Sequence, residues 1–410
     1  SIALVEQAVV LLVEMIPNQP LQFSGESVSR YSDEIIAYSW AKFLETGDSE
    51  WIAQMPMTKS VVRAMDSVQN FCNSLANPVI INEFVVCGWS KHGWVTWLSA
   101  VVDNRVSAII PVVIDLLNMD ASFKHHFHTY GFWAPAVQDY ELAGIFQQID
   151  SPEITELISL IHPYVFRDRV TIPRFIVNSA GDEFFLPDSS KFYYEGLPPE
   201  GLQTGGKYLR YIPNAAHSLD SIISVETLSM YFHATLSDDS LPEFSWEFPE
   251  KNMIRVNMGA DMPSQVLLWQ ATNTAARDFR YSSIGDSWTS TELQDQGEGF
   301  YVAQVEEPPQ GWTAFFIEVS YPSSGLFDYK FTTDIRIVPD FLPYKADIDF
   351  DGEIEGDVND DGYVDLKDAI AALQILSGDS VEAVSKADYD GDRKIGIPDC
   401  LYILNYILSQ

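Results

Sequence analysis

Apolar residues fall into two rhythms along the first 235 positions. Short unbroken runs, such as Phe84-Val-Val-Cys87 and Ala108-Ile-Ile-Pro-Val-Val-Ile114, alternate with stretches in which apolar residues recur every three or four positions. Continuous runs fit strands buried on both faces, and the longer spacing fits helices with one face turned inward. Their alternation predicts a parallel sheet with crossover helices, an α/β domain over residues 1–240. Strands are expected at 11–16, 83–87, 108–114, 174–178 and 207–212, and helices at positions including 33–44 and 60–75.

From about residue 245 the pattern changes to short β-rich runs at 254–258, 265–270, 299–305, 313–319 and 330–338, separated by turn residues. This predicts an antiparallel β-sandwich over 245–340. Pro339-Asp-Phe-Leu-Pro343 and the acidic stretch after it suit a linker, 341–355. Beyond it lie two further helical patterns, 369–376 and 400–407, each preceded by an acidic loop.

Those loops repeat a ligand spacing. A calcium loop supplies about six or seven oxygens from side chains at positions 1, 3, 5 and 12, a carbonyl at 7 and often a water at 9. The first loop has Asp357, Asn359, Asp361, Tyr363, Asp365 and Asp368 in that register, and the second has Asp388, Asp390, Asp392, Lys394 and Asp399. Gly362 suits the sharp turn of the first loop, whereas Arg393 stands there in the second and predicts a weaker site. Two Ca2+ ions are the expected cofactors. The tandem loop-helix arrangement with Asp at position 12 resembles the dockerin module, over residues 356–410. The resemblance implies docking to a cohesin-type receptor, although positions 10 and 11 are Leu366-Lys367 and Ile397-Pro398 rather than the familiar Ser-Thr.

A second constellation lies in the α/β part. Gly88-Trp-Ser90-Lys-His92-Gly93 follows an apolar run and precedes a helical pattern, as in a nucleophile elbow, where the serine occupies a strained strand-to-helix turn. Phe175-Ile-Val-Asn178-Ser-Ala-Gly181-Asp182 ends another run in an acid, and Tyr208-Leu-Arg-Tyr-Ile212-Pro-Asn-Ala-Ala-His217 ends a third in a histidine. The order Ser90, Asp182, His217 is that of an α/β-hydrolase triad. Ser90 would be the nucleophile, His217 its base and Asp182 the orienting acid, with the Lys91 amide as one oxyanion donor. Asp115 and Asp188 are alternative acids, and Asp188 also suits a helix cap near Ser189. His125, His126 and His128 form a tight cluster without a separated carboxylate or cysteine, which fits the lining of a substrate cleft better than a metal site.

Met15-Ile-Pro-Asn-Gln-Pro20, Met57-Thr-Lys-Ser60, Gly88-Trp-Ser-Lys-His-Gly93, Ile114-Asp-Leu-Leu-Asn118, Gly181-Asp-Glu-Phe-Phe-Leu-Pro-Asp188, Trp269-Gln-Ala-Thr-Asn273 and Arg277-Asp-Phe-Arg280 together resemble the PhoPQ-activated pathogenicity-related family over residues 1–343. The resemblance implies an α/β-hydrolase-like domain with a β-rich extension. His92 stands where the family's G-x-S-K-R-G motif has arginine, and the G-x-S-x-x-G spacing is also similar to that of glucuronoyl esterases. About three strands and an oxyanion loop precede the run at Leu11 in hydrolases of this fold, so an N-terminally incomplete sheet with one exposed edge is expected.

The formal net charge of −35 opposes binding to nucleic acid and anionic membranes. No apolar run reaches the roughly 18–20 residues of a membrane span. Cys72, Cys87 and Cys400 show neither disulfide nor zinc spacing. Calcium loops of this type favour a secreted or cell-surface location. The chain opens Ser1-Ile-Ala without an initiator Met, so removal of whatever preceded it, by processing or truncation, is expected. The leading expectation is a serine hydrolase, an esterase acting on polysaccharide-linked esters; the alternatives are a catalytically silent hydrolase-like scaffold and a peptidase.

Overall fold

A computed structural model describes residues 2–198, 206–219, 221–237, 240–344, 356, 358–359, 364, 366–378 and 394–408. Four parallel strands, β1 (Phe84–Trp89), β2 (Val106–Val112), β3 (Arg174–Ser179) and β4 (Lys207–Ile212), lie side by side in that order. Successive strand residues point to opposite faces, and both faces are buried. Ile109, Ile176, Leu209 and Tyr211 enter one core, while Ala108, Ile110, Phe175, Val177 and Tyr208 enter the other. Each Val, Ile, Leu or Phe fully buried in this way stabilises the fold by about 1.5–3 kcal/mol, which explains the absence of polar alternation in these runs.

The first core is covered by α1 (Ser32–Thr46), α2 (Gln54–Asn73), α3 (Lys91–Val102) and α5 (Pro152–Ile161), through residues such as Trp40, Met65, Trp97 and Leu157; α4 (Met119–Tyr130) adds Phe123. Gly47 ends α1 in the left-handed conformation and donates its N–H to Phe43 O, as a C-terminal glycine does. The second core is closed by α6 (Ser221–Ser237) and by strands from the β-rich region.

That region forms two antiparallel sheets. One joins β5 (Phe244–Glu247), β6 (Met253–Met258) and β9 (Phe300–Gln304). The other joins β7 (Gln265–Asn273), β8 (Thr289–Glu292), β10 (Trp312–Tyr321), β11 (Tyr329–Thr332) and β12 (Arg336–Val338). Ile254, Val256, Phe315 and Ile317 share their core with Phe175 and Val177 of the parallel sheet, so the packing continues across the boundary expected at 240. Among the described residues, α7 (Leu366–Ser377) and α8 (Ile397–Leu408) pack on each other through Ala369, Ala372, Cys400 and Ile403.

The strand expected at 11–16 is absent. Residues 11–16 join no ladder, Leu12 is 77% exposed, and Met15 takes φ 59. An apolar run becomes a strand only where a neighbour accepts its backbone hydrogen bonds; here β1 pairs with β2 alone and forms the edge among the described residues. Among those residues no helix is long and apolar enough to cross a membrane, and the three cysteines are free thiols.

Candidate active site

The site grows from the end of β1. Ser90 takes φ 56 and ψ −125, a region that L side chains rarely occupy, directly before α3 begins. Its N–H donates to Val112 O at 2.8 Å, tying the turn to the neighbouring strand, and its carbonyl accepts from Trp94 N at 3.1 Å. The turn is possible because two neighbours lack side chains. A Cβ on Gly88 would meet His92 O at 2.5 Å, and one on Gly93 would meet Ile114 Cγ2 at 2.8 Å. The glycine that permits close packing thus stands three residues after the serine, which accounts for the G-x-S-x-x-G spacing. His92, in the intervening position, turns away and places its Nε2 2.5 Å from Ile16 O.

Asp182 and His217 come together. The Asp182 carboxylate lies 2.8 and 2.9 Å from His217 Nδ1, and it also accepts from Phe184 N at 2.8 Å. Glu183 accepts the His217 backbone N–H at 2.8 Å, so adjacent carboxylates hold the ring and the main chain of one histidine. His217 Nε2 is buried without a hydrogen-bond partner. Burial opposes charge on this ring, but the Asp182 carboxylate outweighs it, with smaller help from Asp33 and Glu183, and the imidazole titrates above its ordinary value. Ser90 and His217 are not hydrogen-bonded to each other; Phe184 stands between their surroundings, lining a cavity beside Ser90 with its ring centroid 4.3 Å from that of His217.

The β-rich region supports both loops. Asn214 and Trp288 exchange two hydrogen bonds of 2.9 Å, fixing the turn that leads to His217. Tyr281 N donates to Gly181 O at 2.8 Å, next to Asp182. Sequence patterns gave no indication of these ties, nor of Asp33 and Tyr140. Lys91 Nζ bonds Ser32 Oγ at 2.7 Å and Asp33 Oδ2 at 3.3 Å, and Tyr140 donates to Asp33 Oδ1 at 3.1 Å. The start of α1 is thereby fastened to the turn that carries Ser90. An aspartate in the first turn of a helix is common, so its position alone does not distinguish it.

The other candidates lie elsewhere. Asp115 is buried and accepts hydrogen bonds of 2.6 Å from Tyr193 and Tyr211, away from any histidine. Burial pushes its carboxyl up to about 8. The folded state therefore holds a proton that an unfolded chain releases near 3.8, and stability should fall as pH rises through that interval. Asp115→Asn is expected to flatten this dependence, bringing the melting temperatures at about pH 5 and pH 8 closer together than in the parent.

Asp188 makes no capping hydrogen bond near Ser189. It accepts from Arg277 at 2.8 Å and Lys191 at 2.7 Å, and lies 2.9 Å from His125 Nε2. Burial works against its charge, yet Arg277, His125 and Lys191 hold its carboxyl well below the usual range. This network ties α4 and the segment after β3 to the β-rich region. It replaces the cap expected at Asp188 and takes up His125 as a partner of that carboxylate. His126 Nε2 accepts from Ala134 N at 3.1 Å, and none of His125, His126 and His128 lines the cavity at Ser90. Among the described residues, no group of three or more His, Cys, Asp or Glu side chains is placed to hold a metal.

Of the calcium-loop positions, Asp357, Asp361, Tyr363, Asp365, Asp388, Asp390 and Asp392 lie outside the described residues. Asn359, Asp368, Lys394 and Asp399 are described. Asp368 is fully buried and accepts from Val358 N at 2.9 Å and Asn359 N at 3.2 Å; Asp399, also buried, accepts from Gly396 N at 2.5 Å.

A parallel sheet with a serine on a strained strand-to-helix turn, and an Asp–His pair at the ends of later strands, defines a protein built like an α/β-hydrolase. The profile of the PhoPQ-activated pathogenicity-related protein family matches residues 1–280. Autocrine proliferation repressor protein A of Dictyostelium discoideum is 35% identical over 359 residues, covering 81% of this chain and 71% of that protein. The chain belongs to the PhoPQ-activated pathogenicity-related family. Among solved structures, it is similar to an acetyl xylan esterase from Paenibacillus sp. R4 at 16% identity and a TM-score of 0.36, covering 46% of this chain and 54% of that one. A puromycin-hydrolyzing peptidase of Mycobacterium tuberculosis is similar at 15% identity and a TM-score of 0.32, covering 50% of this chain and 27% of that one. The chain thus spans about half of the first and about a quarter of the second.

Proposed function

We propose that this chain is a serine hydrolase in which Ser90 is the nucleophile, His217 the general base and Asp182 the orienting acid. The observation that carries the reading is His217: its Nδ1 is held by Asp182 while its buried Nε2 has no partner. With Nδ1 facing the carboxylate, Nε2 is the nitrogen left to act as the general base. In the reaction, Nε2 accepts the Ser90 hydroxyl proton as Oγ bonds to the substrate carbonyl carbon. The leaving group then departs with that proton, and a water activated by the same nitrogen hydrolyses the acyl-enzyme to release the acid and restore the serine. Lys91 opens α3, where its N–H has no preceding helical turn to donate to, and serves as an oxyanion donor. Esters are the proposed substrate class, those attached to polysaccharides in particular, and the protein is proposed to act outside the cell. Comparing turnover of aryl esters with that of aminoacyl arylamides tests the class; faster cleavage of the amides would make the chain a peptidase.

Residues 356–410 are proposed to be a calcium-dependent docking module for a cohesin-type receptor. Asp368 and Asp399 are equivalent loop positions 31 residues apart, and each is a buried carboxylate held in place by backbone N–H groups of its own loop; a carboxylate oxygen is the ligand type a hard cation takes. Calcium would bind Asp357, Asn359, Asp361, Tyr363, Asp365 and Asp368 in one loop, and Asp388, Asp390, Asp392, Lys394 and Asp399 in the other, neutralising carboxylates that repel each other. The helices also expose matching apolar stripes: Leu366, Ile370 and Leu373 on α7, and Ile397, Leu401 and Leu404 on α8. Such stripes suit an apolar protein partner. Chelation is expected to unfold this module and abolish its part of the helical signal. Asp357→Ala should weaken calcium binding more than Asp388→Ala, because Arg393 already handicaps the second loop. Titration calorimetry of the full chain checks both; no binding at millimolar calcium would contradict the module.

A further inference from the structure

The cavity beside Ser90 restricts what can be bound there. Its volume is about 30 Å³, space for roughly two water-sized groups. We infer that this cavity is the acyl pocket of the hydrolase and that it admits a short, uncharged acyl group of acetyl size; this inference rests on the serine-hydrolase reading.

The walls are fixed. Trp40, Trp94 and Phe123 are buried, and the two indoles meet edge to face with centroids 5.6 Å apart. Trp40 Nε1 donates to Gln54 Oε1 at 3.0 Å, and Trp94 Nε1 donates to Ile161 O at 2.8 Å. Swinging either indole aside to admit a longer chain would break a buried hydrogen bond and open the core. The polar side is equally occupied. Lys91 is the cation among the lining residues, and it is bonded to Ser32 and Asp33; Asp33 in turn is held by Lys91 and Tyr140. Neither charge is free to pair with an ionised acyl chain. Burying an uncompensated carboxylate beside Asp33 is strongly unfavourable.

The test is a series of p-nitrophenyl esters, acetate, butyrate, octanoate and hemisuccinate, with kcat/KM measured on the full chain. Each methylene a pocket cannot hold is worth about tenfold or more in such comparisons, so acetate should exceed butyrate, which is two methylenes longer, by about a hundredfold or more, with octanoate and hemisuccinate near background. Val137→Ala, which enlarges the same cavity, should raise the butyrate-to-acetate ratio severalfold; the parent series stands if this variant fails to fold. Octanoate or hemisuccinate hydrolysed as fast as acetate, with Ser90 still labelled by a fluorophosphonate, overturns the pocket inference alone. No turnover of any ester and no labelling of Ser90 overturns the hydrolase reading with it.

Discussion

Ser90→Ala is expected to remove ester turnover to background, a loss on the order of 10⁶-fold as for other serine hydrolases stripped of their nucleophile, while the protein melts at close to the parent temperature. The hydroxyl has no packing role in the core, and the strain at φ 56 comes from the backbone and remains in the variant. Thermal melts alongside kcat measurements separate the two effects. Residual turnover above a tenth of the parent's would remove Ser90 from the mechanism.

The second large effect is expected at Asp182. Asp182→Asn should lower kcat by about 10⁴-fold, because an amide facing Nδ1 favours the wrong imidazole tautomer and no longer stabilises the imidazolium. The change also has a pH signature. In the parent, His217 must be neutral to act as a base, and its pKa is raised chiefly by Asp182. Activity should therefore fall as pH drops through a value above that of an ordinary histidine. Removing the carboxylate leaves burial to dominate, so the acid limb of the remaining activity should move to lower pH. Asp115→Asn should leave both kcat and the limb nearly unchanged, because Asp115 faces two tyrosines. A silent Asp182→Asn and a crippling Asp115→Asn would reverse the assignment.

The parallel strands and the Ser90, Asp182 and His217 positions were legible because each is a local event: an apolar run ended by a turn and a reactive side chain. The run at residues 11–16 looked the same locally, yet a strand needs a hydrogen-bonded neighbour, and the neighbour is a property of the fold. Asp188 was ambiguous for a related reason. Beside Ser189 it reads as a cap, but its partners Arg277 and His125 lie 89 and 63 residues away in the chain. The reciprocal bonds of Asn214 with Trp288 and the tie of Tyr281 to Gly181 were invisible in the same way. They join two loops of the parallel sheet to a region that sequence patterning separates from it. The continuous core gives this joining an energetic basis, since Phe331 of the β-rich region packs on Phe175 and Tyr208 of the parallel sheet with ring centroids 5.8 and 4.3 Å apart, in a core that Phe315 and Ile317 share.

The central claim is that Ser90 is an activated nucleophile. Incubation of the full chain with a fluorophosphonate probe, followed by peptide mapping, tests it most directly, because the probe bonds a serine whose proton a neighbouring base removes. A single adduct on Ser90 is expected, lost in Ser90→Ala and sharply slowed in His217→Ala. An unlabelled protein, or an adduct that persists on another residue in Ser90→Ala, would contradict it.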